Sequence, residues 1–154
     1  MSRQAVRAII IKDNQLLVMK RNKFGKQYYT LLGGGIDHNE SAVAALRREL
    51  AEETSLQVGA LKHVYTEEAG DPFGTQYVFT AEYLGGEPAL NPNSEEAKIT
   101  ALGQNTYQPM WLPFSDLASS NFLSESLKVA ILEAIKHGFP SEPQVLVWKQ
   151  SSVA

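Results

Sequence analysis

Three consecutive glycines, Gly33-Gly34-Gly35, close the run Tyr28-Tyr29-Thr30-Leu31-Leu32 and constrain this chain more than any other stretch. Glycine permits backbone conformations and close approaches that a Cβ forbids. A polar turn, Ile36-Asp37-His38-Asn39-Glu40, follows, and then a helical pattern from Ser41 to Thr54. Projected at about 100° per residue, Val43, Leu46 and Leu50 share one face with Thr54 at its edge, and this face is expected to pack on a sheet. Glu49, Glu52 and Glu53 fall on an adjacent face at i, i+3 and i+4, where side chains are neighbours. Their charges repel one another and lie near the helix C-terminus, where the helix dipole disfavours anions. A hard cation such as Mg²⁺ or Mn²⁺ takes oxygen ligands and offsets both penalties. The glycine carbonyls are further oxygen donors, and Arg48 has the geometry to fix one carboxylate by a bidentate pair. A solvated acidic face has the same E-x-x-E-E spacing, so the helix taken alone leaves both readings open.

The rest of the chain reads as strands around this unit. Ala5 to Lys12 is β-branched and apolar, which predicts a largely buried strand. Asp13-Asn14 is turn chemistry, and Gln15 to Arg21 is a second strand, so the two are expected to form a hairpin. Lys20, Arg21, Lys23 and Lys26 make its end basic. Arg21, where the strand runs out toward the glycines, is the candidate for a substrate phosphate; a solvated edge is the competing reading. Ser55 to Glu68 predicts a long extended segment broken at Gly59, and Gln76 to Leu84 a strand returning against it. Asn91 to Gln104 has no clear period and reads as a loop with at most a helical turn. Tyr107 to Leu112, with its internal proline, reads as a short edge strand. Ser124 caps a helix with Leu127, Ile131, Leu132 and Ile135 on its apolar face, stopped by Gly138 and Pro140. Gln144 to Lys149 reads as a terminal strand or an arm. This order predicts an α/β fold, a mixed sheet with helices on its faces.

Composition removes several function classes. The 154 residues fit one domain, 1–154, with room for a real core. A formal net charge of -3 gives no basic surface of the kind nucleic-acid polymers usually require. A small anion screened by a metal remains compatible with it. The absence of cysteine excludes disulfides, thiolate zinc sites and thiol catalysis. Met1-Ser2-Arg3-Gln4 lacks an apolar signal core and no apolar run approaches 18 residues, so a cytoplasmic protein with no membrane partner is expected.

The full spacing, Gly34-x5-Glu40-x7-Arg48-Glu49-Leu50-Ala51-Glu52-Glu53-Thr54-Ser55-Leu56, resembles the Nudix box, G-x5-E-x7-R-E-U-x-E-E-x-G-U, where U is a bulky apolar residue. Ser55 departs from it, standing where the family has glycine. That position often takes left-handed geometry, which costs another residue about 1 kcal/mol, so an altered helix exit is expected. Asn39 stands where many members carry glycine, and asparagine tolerates positive φ.

The resemblance implies an α/β/α sandwich and divalent-metal-dependent hydrolysis of a nucleoside diphosphate linked to a group X. It implies Glu52 and Glu53 as principal ligands of Mg²⁺ or Mn²⁺, Glu49 as a further ligand or the base, and the Gly33 carbonyl completing the shell. Glu40 would support metal-bound waters or pair with Arg48. Glu95 or Glu96 is a second candidate for the base, since the family often draws a carboxylate from that region; ordinary loop solubility is the other reading. The implied partner is a small nucleotide, with homodimers common in the family. Tyr28, Tyr29, Phe73, Tyr77 and Trp111 are candidates for base stacking, with core or sheet packing the favoured reading of each. A non-catalytic nucleotide-sensing module is the alternative function; such modules tend to lose box glutamates, and all four are present.

Overall fold

The computed structural model describes residues 3–149. Met1 and Ser2 of the N-terminal segment, and the ends of the 1–154 domain, lie outside the described residues. Two extended segments each supply one strand to either of two sheets. The first segment is not one strand: β1 (Gln4–Ile9) and β2 (Ile11–Lys12) divide at Ile10. β2 forms the expected hairpin with β3 (Gln15–Lys23) across Asp13 and Asn14, which adopt φ 50° and 61°. That left-handed pair suits the twist of a tight hairpin. β1 instead joins the other sheet. The stretch before the glycines divides in the same way, at Leu31, into β4 (Lys26–Thr30), paired with β3, and β5 (Leu32–Gly35), paired with β1.

Helix α1 (Ala42–Glu53) leads into β6 (Gln57–Glu68) and β7 (Thr75–Gly85), an antiparallel pair with register shifts around Gly59. The segment 91–104 contains α2 (Glu95–Ala101), two turns rather than a loop. No residue of α2 is buried, so it shows no apolar period. Its signal is a cap: the Ser94 hydroxyl accepts from the Ala97 N–H. β8 (Asn105–Pro113) is longer than expected but does lie at an edge, paired along the whole of β3. The short α3 (Phe114–Leu117) follows, then α4 (Glu125–His137) capped by Ser124, and β9 (Gln144–Val147) parallel to β6. The five-stranded sheet runs β5-β1-β7-β6-β9; the four-stranded sheet holds β2, β3, β4 and β8.

Alternate residues of β1 and β3 feed two cores. Val6, Ala8, Leu17 and Met19 pack beneath α1 with Leu46 and Leu50. Ile9, Leu16 and Val18 pack with Leu127 and Ile131 of α4. Strands buried on both faces read as continuous apolar runs, which explains the sequence of Ala5 to Ile11. The α1 face differs from the projection. Val43 is 42% exposed, and Ala45 takes its place beside Leu46 and Leu50. Glu49 and Glu53 turn inward with that stripe, while Glu52 stays half-exposed. Among the described residues no helix is long and apolar enough to cross a membrane.

Candidate active site

The glycines let a helix carboxylate lie against a strand. A Cβ at Gly34 would sit 2.5 Å from the Glu49 carboxylate, and one at Gly33 would collide with the Val6 carbonyl of the neighbouring strand. The Gly33 N–H donates to Glu53 Oε1 at 3.1 Å. β5 therefore holds two α1 glutamates by direct contact, which a side chain at Gly34 would prevent for Glu49.

Arg48 organises the outer side. Its guanidinium makes two bonds to Glu40, Nε to Oε2 at 2.8 Å and Nη2 to Oε1 at 3.0 Å. Nη1 donates to Glu49 at 3.0 Å and to Glu52 at 3.4 Å, and Nη2 reaches the Gly35 carbonyl at 3.1 Å. Glu40 also accepts from the Asp37 N–H. These bonds hold its carboxyl below the usual carboxylate range, the Arg48 hydrogen bond first. The turn between β5 and α1 closes through Asn39 at φ 66°.

The carboxylates converge on the inner side. One oxygen from each of Glu49, Glu52 and Glu96 lies within 4.8 Å of the others. Glu96 Oε2 is buried with no hydrogen-bond partner. A buried acceptor without a donor is costly, and crowded carboxylates around it are a donor set suited to a hard cation. Burial holds Glu49 above the ordinary range, against the pull of Arg48. Burial pushes Glu53 well above it, opposed by Arg7 and reinforced by Glu49 and Glu96.

The structure thus brings Glu49, Glu52 and Glu96 together, with Glu53 behind them and Glu40 turned to Arg48. Glu95 points elsewhere and is exposed. Arg21 lines the same cleft, its guanidinium 3.7 Å from the centre of the Tyr107 ring and bonded to Asn105 Oδ1 at 2.5 Å. Of the aromatic candidates, Tyr28 and Phe73 line the cleft, whereas Tyr29, Tyr77 and Trp111 pack against the two cores. The cleft has a volume of about 420 Å³. Ser55 is not among the residues of positive φ. The helix exits through Thr54 in extended geometry, with its hydroxyl bonded to the Leu50 carbonyl. The exit is therefore altered, as expected, and runs without the left-handed residue that glycine would supply, so Ser55 carries no strain of that kind.

Sequence reasoning missed Arg7, which lies in register with Gly33 on the cleft floor. It donates to Gln76 Oε1 at 3.0 Å and to the Leu31 carbonyl at 3.2 Å. Burial lowers its pKa against the pull of Glu53, yet an arginine stays charged at neutral pH. A single cation within Ala-Val-Arg-Ala-Ile-Ile-Ile was the available signal.

Comparison with known proteins defines the class. The NUDIX domain model matches residues 1–130, and the chain belongs to the Nudix family. An ADP-ribose pyrophosphatase of Methanocaldococcus jannaschii is 37% identical over 100 residues, 62% of this chain and 59% of that protein. An NAD-capped RNA hydrolase of Photobacterium profundum is 26% identical over 126 residues, 82% of this chain and 46% of that protein. The chain thus spans about half the length of these relatives. A Nudix hydrolase from Nitrosomonas europaea shares the fold, with a TM-score of 0.68 at 17% identity over 95% of this chain and 79% of that one.

Proposed function

We propose that this chain hydrolyses the pyrophosphate bond of a nucleoside diphosphate linked to a second group, with ADP-ribose and NAD-type dinucleotides as the leading substrates, in the presence of Mg²⁺ or Mn²⁺. The convergence of Glu49, Glu52 and Glu96 within 4.8 Å, beside the glycine strand, carries this reading. Glu49 and Glu52 would hold the ion, with Glu53 and the Gly33 carbonyl as further donors. A bound divalent ion polarises phosphoryl oxygens and acidifies the attacking water. Glu96, through its unpartnered oxygen, accepts the proton of that water. Water oxygen bonds to one phosphorus, the P–O–P bridge breaks, and two phosphate monoesters leave. Arg7 faces the phosphates from the floor, and Arg48 keeps Glu49 and Glu52 aligned.

The relatives' names motivate the choice of ADP-ribose and of an NAD-capped RNA end as substrates to test. The expected absence of a nucleic-acid polymer becomes one arm of that test. The protein is incubated with Mg²⁺ and ADP-ribose, NAD, a nucleoside triphosphate or an NAD-capped RNA, and the products are separated by chromatography. Turnover of at least one substrate, lost on chelation and in Glu52→Gln, supports the reading. No turnover with any of them would sink it.

A further inference from the structure

One carboxylate in the cleft has no part in this chemistry. Glu67, on β6, is 2% exposed and lines the cleft on the side away from α1. Its Oε2 accepts from the Ser124 hydroxyl at 2.5 Å and the Ser126 hydroxyl at 2.7 Å. Oε1 accepts from no group among the described residues, and it is not among the fully occluded unpaired atoms. Two serines therefore fix the side chain and leave one acceptor open to the cleft. Phe73 and Trp148 line the same cleft, their rings tilted at 40° with centroids 5.1 Å apart. Glu67 pairs in register with Leu146 of β9, two residues before Trp148, and Phe73 lies in the turn that joins β6 to β7.

A buried carboxylate repels phosphate and needs a donor. Flat apolar rings next to it favour a planar partner. Resting on the nucleotide reading above, we infer that Glu67, Phe73 and Trp148 form the nucleobase subsite: the base stacks on the aromatic pair and an amino group on its edge donates to Glu67 Oε1. Glu67 is then a specificity residue that selects an amino-bearing base such as adenine. The phosphates lie toward the carboxylate cluster, with Arg7, whose charge Glu67 also feels, between the two subsites.

Replacement by glutamine gives a directional test. In Glu67→Gln, Ser124 and Ser126 keep donating to the remaining oxygen, and the new NH₂ faces the cleft as a donor. Binding of AMP, IMP and ribose 5-phosphate is measured by calorimetry with Mg²⁺ present; none contains a pyrophosphate bond, so no turnover intervenes. IMP carries a carbonyl oxygen where AMP has its amine. The wild type is expected to bind AMP about tenfold tighter than either of the others, a preference worth about 1.4 kcal/mol. Glu67→Gln should reverse the AMP-to-IMP order. Trp148→Ala, near the surface, should bring AMP down to the level of ribose 5-phosphate. Equal binding of all three by the wild type, or an unchanged AMP-to-IMP ratio in Glu67→Gln, would overturn the inference. Failure of hydrolysis alone would count against the catalytic reading and leave this ratio readable.

Discussion

Arg48 and Arg7 both bear on the α1 glutamates, from opposite sides and in different ways. Arg48 stands on the helix, half in solvent, and binds Glu40, Glu49 and Glu52 directly. Arg7 comes from β1 and is bonded to neutral acceptors, Gln76 and the Leu31 carbonyl, while Glu53 feels its charge. A cation saturated by carboxylates fixes geometry. A cation satisfied by amide oxygens keeps charge free for an incoming anion. On the proposed reading the outer arginine is a positioning group and the inner one faces the phosphates, and the carboxylates between them remain short of countercharge.

Glu49 acts electrostatically on both arginines, so its replacement breaks the comparison most completely. Glu49→Gln should lower kcat about 10³-fold, within the range for loss of an acid–base or metal-holding carboxylate, measured at saturating Mg²⁺. A rate within tenfold of wild type would remove Glu49 from the machinery. Arg48→Ala should cost about 100-fold in kcat or Mg²⁺ affinity, the upper range for a residue that orients ligands, with KM for the nucleotide little changed. Arg7→Met should act the other way round, with KM rising about tenfold. Its rate profile should also lose activity at a higher pH on the acid side, because Glu53 loses the cation that opposes its raised pKa. Equal KM effects in the two variants would erase the distinction.

The inward turn of Glu53 sharpens the point through stability. Its carboxyl titrates above the unfolded value because of burial. The folded state therefore favours the neutral acid: that stability is present below the ordinary glutamate range, about 4.3, and is lost as pH rises through the folded pKa. Glu53→Gln should raise the Tm of the metal-free protein at neutral pH, by about 2–4 °C for each kcal/mol recovered, and leave it unchanged under acid conditions. Calorimetry in chelator at both pH values checks this. An equal shift at both would assign the effect to packing instead of charge.

Much of this was legible in the sequence. The box spacing located Glu40, Arg48, Glu49, Glu52 and Glu53, and the cap at Ser124 located α4. What was not legible depends on contacts remote in the chain. The division of β1 from β2 at Ile10 leaves no mark on an apolar run that is buried on both faces. The sequence named Glu95 and Glu96 without choosing between them: Glu96 reaches the cluster because α2, a helix without an apolar stripe, is held by its Ser94 cap and its packing on β8. Arg7 was visible as a charge in a strand, but its partners Gln76 and Leu31 lie 69 and 24 residues away. Glu67 shares this property: its two serines stand 57 and 59 residues on.

Ser55 gives the smallest effect and the clearest case of a motif position set by local geometry. The box calls for glycine there, and glycine is useful where φ must be positive. Here the helix ends at Thr54 in extended backbone, φ -145°, and the Thr54 hydroxyl accepts from the Leu56 N–H at 3.1 Å after donating to Leu50. That pair of bonds carries the chain out of α1 without a left-handed residue, so glycine has no conformation to supply. Ser55→Gly should then only add freedom to the unfolded chain, lowering stability by about 0.5 kcal/mol, or Tm by about 1–2 °C, with kcat unchanged. Thr54→Val, which removes the hydroxyl and keeps the shape, should make the same Ser55→Gly change neutral or favourable. A gain in stability from Ser55→Gly in the wild-type background would mean that position 55 is strained after all.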